Sequence, residues 1–364
     1  MKIAILGTRG IPAHYSAFEA CVEELAPRLV QKGHKVTVYC RKHYQKSRLS
    51  LYKGMKLITL PTLKNKYLDT FIHTFLSTLH VIFTDTEIVQ YFGVGNSIFT
   101  LLPRIFGKKT FLNVDGLDWT REKWPLPAKL YLKFSAFLAT VFPSGFITDS
   151  KEIASYYEKA FKKRPVYIAY GTRIATASKS SGDTLAKFGI EKNKYILFTG
   201  RLVPENNVHH LTSAYNRVNT DMKLVIAGEG TYEMSYIKSL KNTKNPGIIF
   251  TGFLTGDAYR DICCCAYIFA EPTEASGTHT AILDAMGYGN CILVNNTPTN
   301  LETIGDSGVS YDGAKKDISL QEKIEWLIAN PDIVNKYKTK AVKHVEKNYS
   351  WDKVTCQYEL LYKK

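Results

Sequence analysis

Short apolar runs alternate with helix-length segments along the whole chain, and this alternation restricts the possible folds more than any other feature of the sequence. Strands that are joined by helices pair in parallel, and the helices cover both faces of the sheet. Strands are predicted over Lys2–Leu6, Lys35–Tyr39, Lys56–Leu60, Ile88–Tyr91, Thr110–Val114, Gly145–Thr148, Tyr195–Thr199, Lys223–Ala227, Gly247–Thr251, Ala266–Ala270, Asn290–Val294 and Gly308–Tyr311. The pattern therefore predicts an α/β protein with two series of parallel strands.

The length of the chain and one polar segment indicate where the two series separate. A chain of 364 residues exceeds what a single hydrophobic core usually serves. The segment 173–183 is rich in Ser, Thr and Ala and follows neither the helical nor the strand period, which is typical of a linker. We therefore predict an N-terminal domain over residues 1–172 and a C-terminal domain over residues 184–350.

Positive charge is concentrated in the first half of the chain. Residues 1–165 hold 25 Lys and Arg against 12 Asp and Glu, whereas the remainder is nearly balanced, with 23 against 21. Such a surface could meet nucleic acid, anionic lipid or an acidic substrate, or could simply be solvated. Because no recognised nucleic-acid-binding module is present, we expect no nucleic-acid partner. An anionic membrane surface is the predicted partner, with the cluster Lys162-Lys163-Arg164 as one point of contact.

Several features predict a cytoplasmic protein. Lys2 is followed by a short apolar run that fits a first strand better than a secretory leader. The most apolar later stretch, Phe71 to Phe83, is too short to span a bilayer. The seven cysteines show no metal-ligand spacing, and we interpret them as reduced, buried thiols. The protein is therefore expected to be soluble, or peripheral on the inner face of the cell membrane.

The segment Gly200 to Asn207 carries the strongest functional signal. It follows the predicted strand Tyr195–Thr199 and opens a helix, with Arg201 at the turn. Backbone amides and the helix dipole favour anions at such a place, and a guanidinium can bind two oxygens of a diphosphate. Taken alone, an ordinary turn with a surface Arg explains this segment at least as well. A second segment downstream, Glu274 to Met286, gives the diphosphate interpretation its weight.

Several short sequence strings of unusual composition are distributed over nearly the whole chain. They are Ile5 to Tyr15, Val114 to Trp119, Arg121 to Trp124, Arg201 to Asn207, Gly277-Thr278 and Asn300-Leu301-Glu302. These strings resemble the rhamnosyltransferase-like subgroup of the family 4 retaining glycosyltransferases. The resemblance implies a GT-B fold, with two facing Rossmann-like, doubly wound parallel-sheet domains and a cleft between them. It assigns acceptor binding to the N-terminal domain, which would include the C-terminal helix at about 351–364, and nucleotide-sugar binding to the C-terminal domain.

The resemblance also implies roles for residues that follow the predicted strands. The implied catalytic residues are Arg201, Glu274 and Asp115. The implied donor-binding residues are Gly7, Arg9, Gly10, Gly200, Glu205, Asn206, Gly228, Gly277, Thr278, His279 and Asp284. The implied acceptor-binding residues are His14, Tyr15, Ser16, Asp118 and Trp119. No metal and no cofactor are expected, and the sequence contains no Asp-X-Asp pair of the kind that holds a metal in the other large glycosyltransferase fold.

Some of these positions depart from the family pattern. Arg201 would neutralise the diphosphate, but the Lys that relatives commonly carry five residues later is Asn206 here, so Arg9 could supply the missing charge. Glu274 would contact the donor sugar, although a helix-capping acid is the simpler interpretation. The acid that would hold the ribose is Asp284 instead of Glu. Asp115 stands where many relatives have His, although it could simply serve a turn.

The resemblance implies transfer of a sugar with retention of configuration, from a nucleotide-sugar donor to a polyprenyl-diphosphate-linked saccharide in cell-surface polysaccharide assembly. The subgroup suggests dTDP-rhamnose as the donor, with a UDP-hexose as the alternative. A catalytically inactive nucleotide-sugar-binding subunit also stays open, because Asn206, Asp284 and Ser16-Ala17 differ from relatives. A nicotinamide dehydrogenase is disfavoured, since Gly7 to Pro12 lacks the third Gly and the acidic partner of that fingerprint.

Overall fold

A computed structural model describes residues 1–13, 17–45, 49–65, 68–114, 116–120, 124–174, 183–230, 234–275 and 277–364. The chain divides into two compact units. The first unit comprises Met1–Gly171 together with Trp351–Lys364, and the second comprises Thr172–Ser350. Each unit has its own sheet and its own hydrophobic core.

The first unit is built on an eight-stranded sheet with the order β3-β4-β2-β1-β5-β6-β7-β8. Its strands are β1 Lys2–Leu6, β2 Lys35–Arg41, β3 Leu51–Tyr52, β4 Met55–Leu60, β5 Ile88–Phe92, β6 Lys109–Asn113, β7 Gly145–Thr148 and β8 Val166–Tyr167. All neighbours pair in parallel except β3 and β4, which are antiparallel. Ala4 in β1 is paired with Thr37 in β2 and with Val89 in β5. The order of the strands along the chain therefore reverses between β1 and β5.

The second unit is built on a six-stranded, wholly parallel sheet with the order β11-β10-β9-β12-β13-β14. Its strands are β9 Tyr195–Thr199, β10 Lys223–Ala227, β11 Ile248–Gly252, β12 Ile268–Glu271, β13 Cys291–Asn295 and β14 Val309–Tyr311. β9 and β12 are buried along their whole length, as expected of central strands with a helical layer on each face. Here the order of the strands reverses between β9 and β12.

Helices connect the strands. They are α1 Ala17–Gln31, α2 Asp69–Ile82, α3 Leu101–Ile105, α4 Leu126–Leu138, α5 Lys151–Phe161, α6 Asp183–Lys187, α7 Val208–Tyr215, α8 Met234–Lys241, α9 Gly256–Cys264, α10 Thr280–Gly287, α11 Pro298–Ile304, α12 Lys316–Ala329, α13 Pro331–Asn348 and α14 Trp351–Lys363. Short 3-10 helices cover Val94–Thr100, Asp118–Thr120, Pro204–Asn206 and Gly313–Lys315. Within the described residues, no helix is both long enough and apolar enough to cross a membrane.

Every strand predicted from the sequence is present, and most of the observed strand ends lie within one residue of the predicted ends. The sequence did not predict β3 and β8, because two residues are too few for a strand to show its alternation. Residues 175–182 of the predicted linker 173–183 lie outside the described residues. All seven cysteines are free thiols, but Cys356 is exposed and Cys264 is half-buried, so the expectation that all are buried is wrong for these two.

Helix α14 is tied to the sheet of the first unit by a buried network of polar side chains. The Gln90 amide donates to Asn113 Oδ1 over 2.8 Å, and the Asn113 amide in turn donates to the Tyr358 hydroxyl over 2.9 Å. The Tyr362 hydroxyl donates to Gln90 Oε1 over 3.0 Å. Gln90 and Asn113 lie in adjacent strands and are fully buried, so the two tyrosines satisfy amides that water does not reach. Residues 351–364 are thus part of the core of the first unit.

The Tyr358 hydroxyl is expected to contribute measurably to stability. Tyr358→Phe leaves the Asn113 amide without this acceptor in a dry environment, which should cost about 1–3 kcal/mol. Denaturant unfolding of the full chain measures the effect, with Tyr44→Phe as the control because Tyr44 is partly exposed. An unfolding midpoint equal to that of the wild type would show that the network does not stabilise the first unit.

Candidate functional site

The two sequence segments that predict nucleotide-sugar binding leave neighbouring strands of the second unit. Gly200–Asn207 follows β9, and the loop from Pro272 to His279 follows β12. β9 and β12 are paired directly, and the strand order reverses between them. In open α/β sheets, ligands bind in the crevice beyond the carboxyl ends of the strands at this reversal. Arg201 and Glu274 are both exposed there.

The Asn206 side chain joins the two segments. Its amide nitrogen donates to the Arg201 carbonyl over 2.8 Å, and its amide oxygen accepts from the Thr273 hydroxyl over 3.1 Å. The backbone continues the connection, because the Glu274 amide donates to the Glu205 carbonyl over 3.2 Å. Asn206 was expected to mark a missing positive charge. In the structure it holds the Arg201 turn against the loop that carries Glu274.

Three asparagine side chains hold this loop in place. The amide groups of Asn207 and Asn295 donate to the Pro272 carbonyl over 3.2 and 3.4 Å. The Asn300 amide donates to the Thr273 carbonyl over 3.2 Å. All three asparagines are buried, so their hydrogen bonds form in a dry environment. Asn300, which belongs to one of the strings that carry the family resemblance, therefore has a structural role in this loop.

Each segment leads into a helix N-terminus. After β9, the 3-10 helix Pro204–Asn206 comes first, and Asn207 adopts a left-handed conformation with φ 52° before α7 begins at Val208. After β12, Gly277 has φ 94°, which favours glycine, and α10 begins at Thr280. The sequence predicted a helix that opens directly from the Arg201 turn. The structure inserts the 3-10 turn and the left-handed residue first.

Gly228 permits a close backbone approach beside the Arg201 turn. It follows β10, and a Cβ atom at this position would lie only 1.8 Å from the Gly200 carbonyl oxygen. The Gly200 amide also donates to the Ala227 carbonyl over 3.1 Å. Two adjacent strand ends are therefore packed backbone to backbone, and no other residue type fits at Gly228.

Gly228→Ala is expected to displace the Arg201 turn. Since the clash is with backbone and not with a flexible side chain, we expect a loss of about 1–3 kcal/mol or more in stability and a weaker interaction with nucleotide. Thermal unfolding with and without UDP measures both. Gly95→Ala is the control, since its nearest contact would be an ordinary 3.4 Å from a Leu132 methyl group. If Gly228→Ala melted at the wild-type temperature and UDP raised that temperature as much as in wild type, the role of Gly228 beside the nucleotide site would be contradicted.

Asp284 lies on α10 and accepts a hydrogen bond from the Thr172 hydroxyl over 2.8 Å. Thr172 is buried where the second unit begins, and its amide donates to the Tyr349 carbonyl over 2.8 Å. One carboxylate oxygen is therefore already engaged by the protein. The role of Asp284 in ribose binding stays a prediction, and the side chain is half-buried.

A second acid, Glu271, was not identified from the sequence. It is the last residue of β12 and is only 3% exposed. Burial raises the pKa of Glu271 to about 8, although a hydrogen bond from the Thr273 backbone opposes the rise. The carboxyl therefore keeps its proton to higher pH than an exposed Glu does, and in the protonated form it can donate a hydrogen bond.

A cavity of about 760 Å³ opens beside the end of β10. It is lined by Glu229, Gly230, Met234, Ile237, Lys238, Ser239, Lys241 and Asn242. Gly230 is in close contact with Leu202, which follows Arg201, because a Cβ at Gly230 would lie 2.6 Å from the Leu202 carbonyl oxygen. The cavity therefore adjoins the Arg201 turn within the same unit.

In the first unit, the predicted donor-binding loop leaves β1 where the strand order reverses. A Cβ atom at Gly7, whose φ is 92°, would lie 2.5 Å from the Phe92 carbonyl oxygen at the end of β5. The Arg9 amide donates to the buried Glu19 carboxylate over 2.7 Å. The Arg9 guanidinium carbon lies 5.0 Å from the centre of the Tyr44 ring. The Glu19 carboxylate of α1 thus already accepts a hydrogen bond from one amide of this loop. Donor binding by Gly7, Arg9 and Gly10 stays a prediction.

The predicted acceptor-binding residues are described only in part. Asp118 and Trp119 lie in the 3-10 helix Asp118–Thr120, and the Trp119 ring centre is 5.5 Å from that of Tyr156. Trp119 also packs against the core of the first unit, which gives it a structural role. The other predicted residues, His14, Tyr15, Ser16 and the catalytic candidate Asp115, lie outside the described residues.

A buried ion pair supports the loop that contains Gly7. Arg41 Nη1 lies 2.7 Å from Asp69 Oδ2, and both residues are less than a tenth exposed. Arg41 also donates to the Gly7 carbonyl over 3.5 Å. His43 Nε2 is 3.5 Å from Asp69 Oδ2. From the sequence, Arg41 was expected only as part of a basic surface cluster with Lys42, because a basic residue at a strand end gives no sign that it is buried.

Comparison with known families places each half of the chain separately. Residues 182–344 match the family described as Glycosyl transferases group 1, and residues 1–173 match a Domain of unknown function (DUF1972). YtcC of Bacillus subtilis, a protein assigned to the glycosyltransferases, is 27% identical over 190 residues, which is 48% of this chain and 46% of YtcC. The chain thus spans about half the length of the curated relatives it matches.

Solved structures match the whole chain. The sucrose-phosphate synthase of Thermosynechococcus elongatus superposes with a TM-score of 0.83 at 14% identity, covering 100% of this chain and 98% of that one. HepE of Anabaena, solved with UDP and glucose, gives 0.81 at 15% identity and covers 100% of both chains. These likenesses confirm the predicted GT-B fold class, with two parallel-sheet, Rossmann-like α/β domains.

Proposed function

We propose that this chain, whose residues 182–344 match the family described as Glycosyl transferases group 1, is a retaining glycosyltransferase that uses a nucleotide-sugar donor. The observation that carries the proposal is the junction in the second unit between the Arg201 turn and the Glu274 loop. Asn206 holds the two together at the edge where β9 and β12 end. A cation and an exposed acid thus lie in two joined loops, each of which leads into a helix, and this arrangement suits a sugar diphosphate.

In the proposed mechanism, Arg201 binds the diphosphate and opposes the negative charge that grows on it as the glycosidic bond breaks. Glu274 binds a hydroxyl of the donor sugar, and the amides at Gly277 and Thr278 approach the phosphate or the sugar. The acceptor hydroxyl attacks from the face that the diphosphate leaves, and the departing diphosphate takes up its proton. Neither a protein nucleophile nor a metal ion takes part in this scheme.

The proposed donor is dTDP-rhamnose, because the sequence resembles the rhamnosyltransferase-like subgroup. A UDP-hexose is the second candidate, and the complex of HepE with UDP and glucose supports it. The proposed acceptor is a polyprenyl-diphosphate-linked saccharide in cell-surface polysaccharide assembly. The positive charge of residues 1–165 suits an acceptor on an anionic membrane, so we place the protein in the cytoplasm, on the inner face of the cell membrane.

A donor screen tests the proposal. Purified protein is incubated with dTDP-rhamnose, UDP-glucose and other nucleotide sugars, and mass spectrometry follows the release of the nucleotide diphosphate. We expect turnover of dTDP-rhamnose above the others, and turnover of UDP-glucose instead would support the second candidate. Binding of a nucleotide sugar without turnover, in the presence of membrane lipid extract as acceptor, would identify an inactive binding subunit. The proposal would be refuted if the protein neither bound nor turned over any of the nucleotide sugars.

A further inference from the structure

Helix α4 presents a row of large apolar side chains to solvent. Leu126 is 69% exposed, Leu130 61%, Phe134 56% and Phe137 48%. Their spacing places all four on one side of the helix, whereas Ser135 and Ala136, which point away from this row, are buried. We call these four residues the α4 face. An ordinary surface helix directs its apolar side inward, so an exposed apolar row of this length needs an occupant.

Neighbouring elements extend the α4 face. The Phe71 ring of α2 is 6.3 Å from the Tyr131 ring of α4, and both Phe71 and Phe75 are partly exposed. At the other end, Arg104 of α3 donates to the carbonyls of Val141 and Phe142 just after α4, over 3.1 Å each. Apolar side chains next to Arg104 are exposed as well, with Ile105 at 70% and Phe106 at 55%.

This exposure is a property of the first unit and not of the whole protein. Of the 23 large hydrophobic residues that are exposed in the described part of the chain, 18 belong to the first unit, although the two units are similar in size. The first unit also carries nearly all of the net positive charge. Apolar exposure and positive charge thus occur in the same half of the molecule.

Basic residues are interleaved with the α4 face. Lys129 and Lys133 lie on α4 itself, one residue before Leu130 and Phe134, and Arg104 lies beside its C-terminal end. A helix with apolar side chains on the exposed side and flanking lysines binds in the boundary layer of an anionic bilayer, where the side chains enter the acyl region and the cations meet headgroups. We propose that the α4 face docks this protein on an anionic lipid bilayer.

The proposal rests on the lipid-linked acceptor of the proposed function and names the surface that meets the membrane. It also revises the expectation from the sequence, which placed the contact at Lys162-Lys163-Arg164. That cluster follows α5, and its Arg164 is paired with Glu158 over 3.2 Å, so this acid offsets part of the positive charge of the cluster. Charge alone holds a protein near the surface of an anionic bilayer, whereas the α4 face adds apolar side chains that can insert into the bilayer.

Vesicle binding of the full chain tests the proposal. Wild type should sediment with vesicles of phosphatidylcholine and phosphatidylglycerol, and much less with phosphatidylcholine alone. Leu130→Glu should lower the partition coefficient by about tenfold or more, because an exposed charge replaces a side chain that is buried in lipid. The matched control is Ile318→Glu in α12, where the side chain is 60% exposed against 61% at Leu130, and it should bind like wild type.

A second pair of variants separates the two basic clusters. Lys129→Gln with Lys133→Gln should weaken binding by about fivefold for each lysine, whereas Lys162→Gln with Lys163→Gln should weaken it less. Wild-type binding by Leu130→Glu, or equal binding of wild type to both vesicle types, would overturn the proposal. The proposal would also be overturned if the wild type were a dimer, and if Leu130→Glu dissociated this dimer without changing vesicle binding. These assays contain no nucleotide sugar, so their result does not depend on the donor screen.

Discussion

Replacement of Arg201 by Ala is expected to lower the rate of nucleotide diphosphate release by about a hundredfold or more, the usual scale when a preorganised transition-state contact is lost. Arg201 is exposed at the edge where β9 and β12 end, and its own carbonyl is held by Asn206 over 2.8 Å. The turn is therefore fixed before substrate arrives. A cation in a fixed position stabilises the leaving diphosphate most when its negative charge is greatest.

The control for this prediction is Arg217→Ala, which removes the same side chain from another place in the second unit. Arg217 pairs with Asp317 over 3.0 Å and is partly exposed, so the variant should turn over like wild type. Arg201→Lys should recover part of the rate, because it restores the charge without the two-pronged geometry. Melting temperatures show whether each variant is folded. A folded Arg201→Ala protein with the wild-type rate would remove Arg201 from the mechanism.

Replacement of Arg41 by Met is expected to destabilise the first unit by about 3–5 kcal/mol, because it leaves a buried carboxylate without its cation. Among the described residues, the ion-pair partner that stays near the Asp69 carboxylate is His43, at 3.5 Å. In the wild type, burial and the charge of Arg41 lower the pKa of His73 to about 4, so this ring adds no positive charge beside Asp69 at pH 7. The Gly7 carbonyl would also lose the bond that Arg41 donates.

The double variant Arg41→Met with Asp69→Leu distinguishes a buried pair from a general packing effect. Removing both charges should recover most of the lost stability, because the cost arises from the unpaired charge and not from the missing contact. Lys2→Met is the exposed control: Lys2 pairs with Asp85 over 2.6 Å on the surface, and its loss should change little. Denaturant unfolding at neutral pH measures all four proteins. A double variant no more stable than Arg41→Met would contradict the prediction.

The sequence was sufficient to predict the longer strands, because each of these is a local feature. The run Tyr195–Thr199, for example, is apolar throughout and ends at a glycine, and it forms β9 over the same residues. Burial on both faces makes such a run recognisable without knowledge of its neighbours. The sequence could not show β3, because its two residues pair with β4 through a tight turn and bury little.

The site could be predicted only as far as strand ends are predictable. That the Arg201 turn and the Glu274 loop meet at one edge follows from parallel pairing, and the structure confirms that they are neighbours. The role of Asn206 did not follow, because its partner Thr273 is 67 residues away and the comparison with relatives suggested only a lost charge. The hydrogen bond from Thr172 to Asp284 spans 112 residues and gave no local sign either.

The buried network beneath α14 has a consequence for how the protein is made. The Tyr358 and Tyr362 hydroxyls that satisfy Asn113 and Gln90 follow the whole of Thr172–Ser350 in the chain. A ribosome adds about 5–20 residues per second, so the first unit waits on the order of 10–40 s for its last helix. The second unit, although synthesised later, can finish folding first. During this interval the Gln90 and Asn113 side chains of the first sheet lack their α14 partners, and chaperones can bind there.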